Sequence, residues 1–172
     1  MGVSAETEIT YYDISAATLS EVGQSIRASG PRSQGRRWGA VTTWRLVYQY
    51  QTRMTGNSCQ AHHVRVRVRT AISFPRLNPT AQPDSAMLAF WEQYNAGLAE
   101  HERGHALLAV KGAGDIVRAL ESEQAPCAQL GSRLNDTFGR MMFALNNRQV
   151  EYDLETRHGA TQIQQVRALH EP

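Results

Sequence analysis

In the run HHVRVRVRTAISF, Val64, Val66, Val68, Thr70 and Ile72 alternate with Arg65, Arg67 and Arg69. On a helix these residues would scatter around the axis. On a strand, where successive side chains point to opposite faces, they separate into one apolar face and one cationic face. The segment therefore reads as a half-buried strand whose arginine face meets solvent or an anionic partner. TTWRLVYQYQT repeats the pattern with Trp44, Leu46, Tyr48 and Tyr50, and the short RMTGNSC link between the two runs suits a hairpin. Further upstream, EITYYDIS is a strand rich in β-branched and aromatic residues. SAATLSEVGQSIRASGP reads as a short helix capped by Ser15 and stopped at Gly30-Pro31, followed by a polar connection, RSQGRRWG.

After the proline-rich PRLNPTAQPD the period becomes helical. Met87, Trp91, Tyr94 and Leu98 recur at spacings of four and three, predicting a helix from Asp84 to at least Leu108. KGAGD is expected to loosen or break it before IVRALESE resumes. A further helix is expected over Ala128 to Asn147, with Leu130, Leu134, Phe138, Met141 and Leu145 on one side. The tail, VEYDLETRHGATQ, reads as a polar loop or short extended stretch. The sum is an α+β fold in one domain, residues 1–172. An antiparallel sheet from the N-terminal half packs against helices from the C-terminal half.

Composition narrows the function. Hydrophobic residues at 41% suffice for a core, and a formal charge of +2 is too small for a dedicated nucleic-acid binder. No stretch reaches the ~18 apolar residues of a membrane-crossing helix. MGVSAETEIT has neither a basic n-region nor an apolar h-region, as in a cytosolic chain or a mature form whose signal has been removed. Cys59 and Cys127 lack the spacing of a metal knuckle or redox pair. In the cytosol they would be two buried thiols; in an exported chain, one long-range disulfide stabilising the fold by roughly 4 kcal/mol.

Extending the stripe Met87, Trp91, Tyr94, Leu98 reaches His101, His105 and Leu108. The HERGH motif thus puts two histidines on the buried face, one turn apart, where both can bind one Zn²⁺ at ~2.1 Å. Glu102 lies one residue round the helix, placed to take a proton from a water held by the metal. Packed core histidines are the competing reading. Gly104, costing ~1 kcal/mol inside a helix, implies either close approach of substrate or backbone beside the metal, or tight helix packing.

A third ligand is needed. His62 and His63 occupy adjacent strand positions facing opposite ways, and His170 sits near the chain end. His158 follows the last helix, where the chain can fold back; Glu151, Asp153 and Glu155 are carboxylate alternatives. HERGH, the downstream YDLETRHGATQ and the upstream WGAVTTWRLVYQY together resemble a bacterial family of predicted secreted zinc-dependent proteases, catalogued mainly as a domain of unknown function. The resemblance spans about Tyr11 to Gln162. It implies His101, His105 and His158 as zinc ligands, Glu102 as general base, export from the bacterial cytoplasm to the periplasm or beyond, and a Cys59–Cys127 disulfide. Where that family often carries a glycine soon after the final glutamine, this chain has Ile163 after Gln162.

Around this centre, Asp153 is expected to orient a ligand imidazole by accepting its other N–H. Tyr152 or Arg157 could stabilise the oxyanion of a tetrahedral intermediate; packing of the loop or a solvated surface is the competing reading for all three. The expected activity is zinc-dependent hydrolysis of a peptide or protein substrate. The alternatives are a non-catalytic zinc-containing envelope protein and a polyanion-binding module using Arg65, Arg67 and Arg69.

Overall fold

A computed structural model describes residues 2–168; His170 lies outside them. Along the chain run β1 (Val3–Ile14), α1 (Leu19–Ser29), β2 (Arg32–Ser33), β3 (Arg36–Arg37), β4 (Val41–Thr55) and β5 (Ser58–Leu77). A 3-10 turn (Pro79–Ala81), α2 (Ser85–Glu121), β6 (Gln124–Ala125), α3 (Leu130–Thr156) and α4 (Ala160–Ala168) follow. The fold is α+β, with the main strands in the N-terminal half and the long helices in the C-terminal half. The main sheet has the order β1-β5-β4, and β6 lies antiparallel on β5, pairing Cys59 with Ala125.

Turn chemistry explains the hairpins. Only Gly56 and Asn57 separate β4 from β5, so these strands must be antiparallel. Gly56, at φ 61°, supplies the positive φ that a two-residue turn needs at its first central position. The polar connection RSQGRRWG is itself a small hairpin, β2 against β3, turning through Gln34 (φ 49°) and Gly35 (φ 77°).

A bulge sets the phase of β5. Cys59 and Ala61 are buried at odd positions, whereas Val64, Val66, Val68, Thr70 and Ile72 are buried at even ones. His63, at φ 54°, is the extra residue that shifts the alternation. His62 and His63 therefore do not point to opposite faces. Their rings meet edge to face, with centroids 3.7 Å apart, and His62 lies beside Arg53.

The chain forms two compact units. Among the described residues the first comprises 2–6, 44–70 and 106–151, and the second comprises 7–43, 71–105 and 152–168. In the first, Leu46, Val64, Val66 and Val68 share a core with Ala109, Ala113, Ile116 and Leu120 of α2 and with Leu130, Leu134 and Leu145 of α3. Each fully buried aliphatic side chain contributes roughly 1.5–3 kcal/mol. The sulfurs of Cys59 and Cys127 stand at bonding distance, 2.01 Å, and join β5 to the segment before α3. In the second unit Ile14, Ala16, Val22, Met87 and Trp91 form the core.

Three helix boundaries differ from expectation. Thr18, not Ser15, precedes α1, and Glu21 Oε2 accepts from the Ala17 and Thr18 amides. α2 continues unbroken through KGAGD, because Gly112 is where Leu145 packs: a Cβ there would sit 2.8 Å from Leu145 Cδ1. Packing outweighs the ~1 kcal/mol helix cost of the glycine. α3 continues past Asn147 to Thr156, so the polar tail is partly helix.

Candidate metal centre

Every residue of the site belongs to the second unit. α2 carries His101, Glu102 and Gly104–His105, and the last turn of α3 carries Tyr152, Asp153 and Thr156. That last turn is closed by a Schellman motif: the His158 amide donates to the Asp153 carbonyl at 2.7 Å, and the Arg157 amide to that of Leu154 at 3.2 Å. Arg157 and His158, at φ 51° and 52°, occupy the left-handed region that glycine prefers, and Gly159 follows at φ 83°. Such backbone costs of order 1 kcal/mol or more at each non-glycine residue. The bend leads into α4, which presents Gln162 to His101. Tyr152 to Gln162 is therefore a helix end, a left-handed bend and a helix start, not a loop.

Three side chains converge. His101 Nε2 lies 3.2 Å from Asp153 Oδ1, His105 Nε2 lies 3.1 Å from the same oxygen, and the two nitrogens are 3.2 Å apart. These nearly equal edges match the ~3.3 Å separation of ligand atoms around a tetrahedral ion with bonds of 2.0–2.1 Å. Lone pairs gathered this closely repel unless a proton or cation lies among them. His101, His105 and Asp153 thus fit a metal ion. Burial raises the Asp153 carboxyl's pKa, but hydrogen bonds to His101 and His105 outweigh it and hold the group well below the ordinary carboxylate range.

Hydrogen bonds fix the inner histidine. His101 Nδ1 lies 3.1 Å from Gln162 Oε1 and 3.2 Å from Thr156 Oγ1. Gln162 Nε2 donates to the Tyr152 hydroxyl at 2.8 Å, and that hydroxyl donates to the His101 carbonyl at 3.3 Å. With Nδ1 bonded to these partners, Nε2 is the nitrogen turned to the convergence point. Asp153 therefore stands beside the Nε2 atoms of both imidazoles, not behind the Nδ1 of His101.

The other expected residues divide. Glu102 is buried, and its Oε2 accepts from Thr42 Oγ1 at 2.6 Å. Burial raises its carboxyl pKa, partly offset by Thr42 and the two histidines. His158 is more exposed. Its Nδ1 is 3.5 Å from Asp153 Oδ1, and its ring rests on Trp38 with centroids 4.6 Å apart. Tyr152 stacks on the His101 ring at 5.2 Å, with its hydroxyl engaged as above, so it buttresses the site. Arg157 is exposed and serves the bend. Sequence reasoning missed Thr42, Thr156 and Gln162. The latter two lie within the quoted YDLETRHGATQ, but nothing local marked which side chains would turn inward.

Gly104 now has a reason. A methyl group there would overlap the Tyr152 hydroxyl and Cζ and stand 2.8 Å from Cε1, and Tyr152 is held by His101 and Gln162. Helix packing, not substrate approach, explains the glycine. Gly104→Ala gains about 1 kcal/mol of helix propensity but costs about 3 kcal/mol in overpacking. Thermal unfolding should shift down by about 4–8 °C; an unchanged or raised midpoint would refute the packing account.

The sequence profile of a bacterial family, described as "Bacterial protein of unknown function (DUF922)", matches residues 9–159. No curated protein and no solved structure matches the chain.

Proposed function

Because the chain belongs to the bacterial DUF922 family, which brings no activity with it, we propose from the site itself that it is a zinc-dependent hydrolase of peptide bonds. The observation carrying this reading is the convergence of His101, His105 and Asp153, with Glu102 on the next position of the same helix. His101 Nε2, His105 Nε2 and Asp153 Oδ1 would hold the ion. Bound there, zinc would act as a Lewis acid and make water available as a nucleophile near neutral pH. Glu102 would take the proton from that water and pass it to the departing amine. Thr42 orients the carboxylate, and Gln162 and Thr156 keep His101 in the tautomer that a ligand needs.

The cysteines bear on location. A Cys59–Cys127 disulfide persists in an oxidising compartment, which supports a secreted or periplasmic protein. No helix among the described residues is long and apolar enough to cross a membrane.

A second reading rests on His158. Its position 3.5 Å from Asp153 would let it close the site as a fourth protein ligand, and a closed site is structural rather than catalytic.

The test is metal content by mass spectrometry on protein purified without added zinc, followed by peptidase screening of the zinc-loaded chain. One zinc per chain with hydrolysis supports the proposal. One zinc without hydrolysis favours the closed site. No zinc, even after adding it back, overturns both.

A further inference from the structure

In the first unit the buried side of the sheet meets helices, while the opposite side is exposed and cationic. Arg45 and Arg53 of β4 and Arg65, Arg67 and Arg69 of β5 lie on it, with the imidazoles of His62 and His63 at one end. Against them stand Glu6, 3.5 Å from Arg69, and Glu121 at the margin, which accepts the Val64 amide. Arg65 and Arg67 have no carboxylate partner among the described residues. Charges on sheet surfaces commonly guard an edge against pairing with another chain. That explanation fails for Arg65, Arg67 and Arg69, because β5 is an internal strand, bonded to β1 on one side and β4 on the other. Like charges at every second residue, about 7 Å apart, repel each other without helping the fold.

We propose that this face binds a linear phosphate polymer that carries no bases. Arginine forks bind phosphate oxygens in pairs, and their two-residue spacing suits charges repeated along an extended chain. The composition of the face selects among polyanions. On β4 the outward positions from Arg45 to Arg53 are Arg45, Val47, Gln49, Gln51 and Arg53, so the two glutamines add polar donors and Val47 is a small apolar interruption. These positions, together with Arg65, Arg67 and Arg69 on β5, hold no tryptophan, tyrosine or phenylalanine on which nucleic-acid bases could stack. Nor do they offer the large apolar anchors with which proteins enter a bilayer. The site does not depend on the metal centre.

The experiment is fluorescence anisotropy with labelled inorganic polyphosphate, using the native chain and Arg65→Gln/Arg67→Gln. Binding should weaken at least tenfold in the variant, and its dependence on the logarithm of salt should be shallower by about two. Arg118→Gln/Arg133→Gln, which removes arginines elsewhere on the surface, should bind as the native chain does. Absence of binding, or equal loss in both variants, overturns the proposal. So does tighter binding of single-stranded DNA of equal charge, or binding of anionic phospholipid vesicles but not polyphosphate. Zinc content is read on the same samples and should not change in either variant, so failure here and failure of the peptidase reading are separable.

Discussion

Asp153→Ala should bind zinc about a thousandfold more weakly than the native chain, measured by competition with a chromogenic chelator. Zinc sites in small proteins are worth roughly 10–16 kcal/mol in total, so losing one of a few protein ligands removes about 4 kcal/mol, a factor of a thousand. His158→Ala should cost about ten- to a hundredfold, the usual loss when a partner of a ligand is removed. The order of the two losses discriminates. Asp153 Oδ1 is within 3.2 Å of both imidazole nitrogens, whereas His158 Nδ1 stands 3.5 Å from that carboxylate oxygen. If His158→Ala lost more zinc than Asp153→Ala, His158 would be the third ligand, as the family resemblance implied. Asp153 would then return to a supporting role.

The difficulty of assigning that third ligand shows where sequence stops being informative. His101 and His105 were legible because both lie on an apolar stripe that starts four turns earlier, and helical periodicity propagates reliably along one element. The hairpin was legible for the same reason at period two. Asp153 and His158 depend on how α3 ends. Its end carries no glycine where the left-handed residue falls; Arg157 takes that position, and the first glycine comes two residues later. After Leu145 the apolar residues Val150 and Leu154 are exposed and no longer continue the buried stripe, so periodicity stops marking the helix well before Thr156 and the turn carrying Asp153 reads as loop. Gln162 reaches His101 only through that bend and through the close approach of α4 to α2. There a Cβ on Gly97 would meet Ile163 Cγ1 at 2.5 Å. The Ile163 that departs from the family pattern is thus a packing residue. Long-range partners of this kind leave no periodic trace. The His62–His63 bulge failed for a related reason: one extra residue inverts every face that follows it.

Glu102→Gln should keep its zinc and lose at least a thousandfold in kcat, about 4 kcal/mol of barrier. The substitution is nearly isosteric. An amide oxygen can still accept from Thr42 Oγ1, so the side chain should hold its place and His101 Nε2, His105 Nε2 and Asp153 Oδ1 should be undisturbed. What disappears is proton affinity. An amide cannot take a proton from the attacking water or deliver one to the leaving nitrogen, however well it is positioned. Zinc content measured on the same samples separates the ways this can fail. Native zinc and native turnover would mean that Glu102 is not the base. Lost zinc would mean that its carboxylate is itself a ligand, despite its hydrogen bond to Thr42. Only retained metal with lost turnover is consistent with two histidines and an aspartate holding the ion while the glutamate between them moves protons.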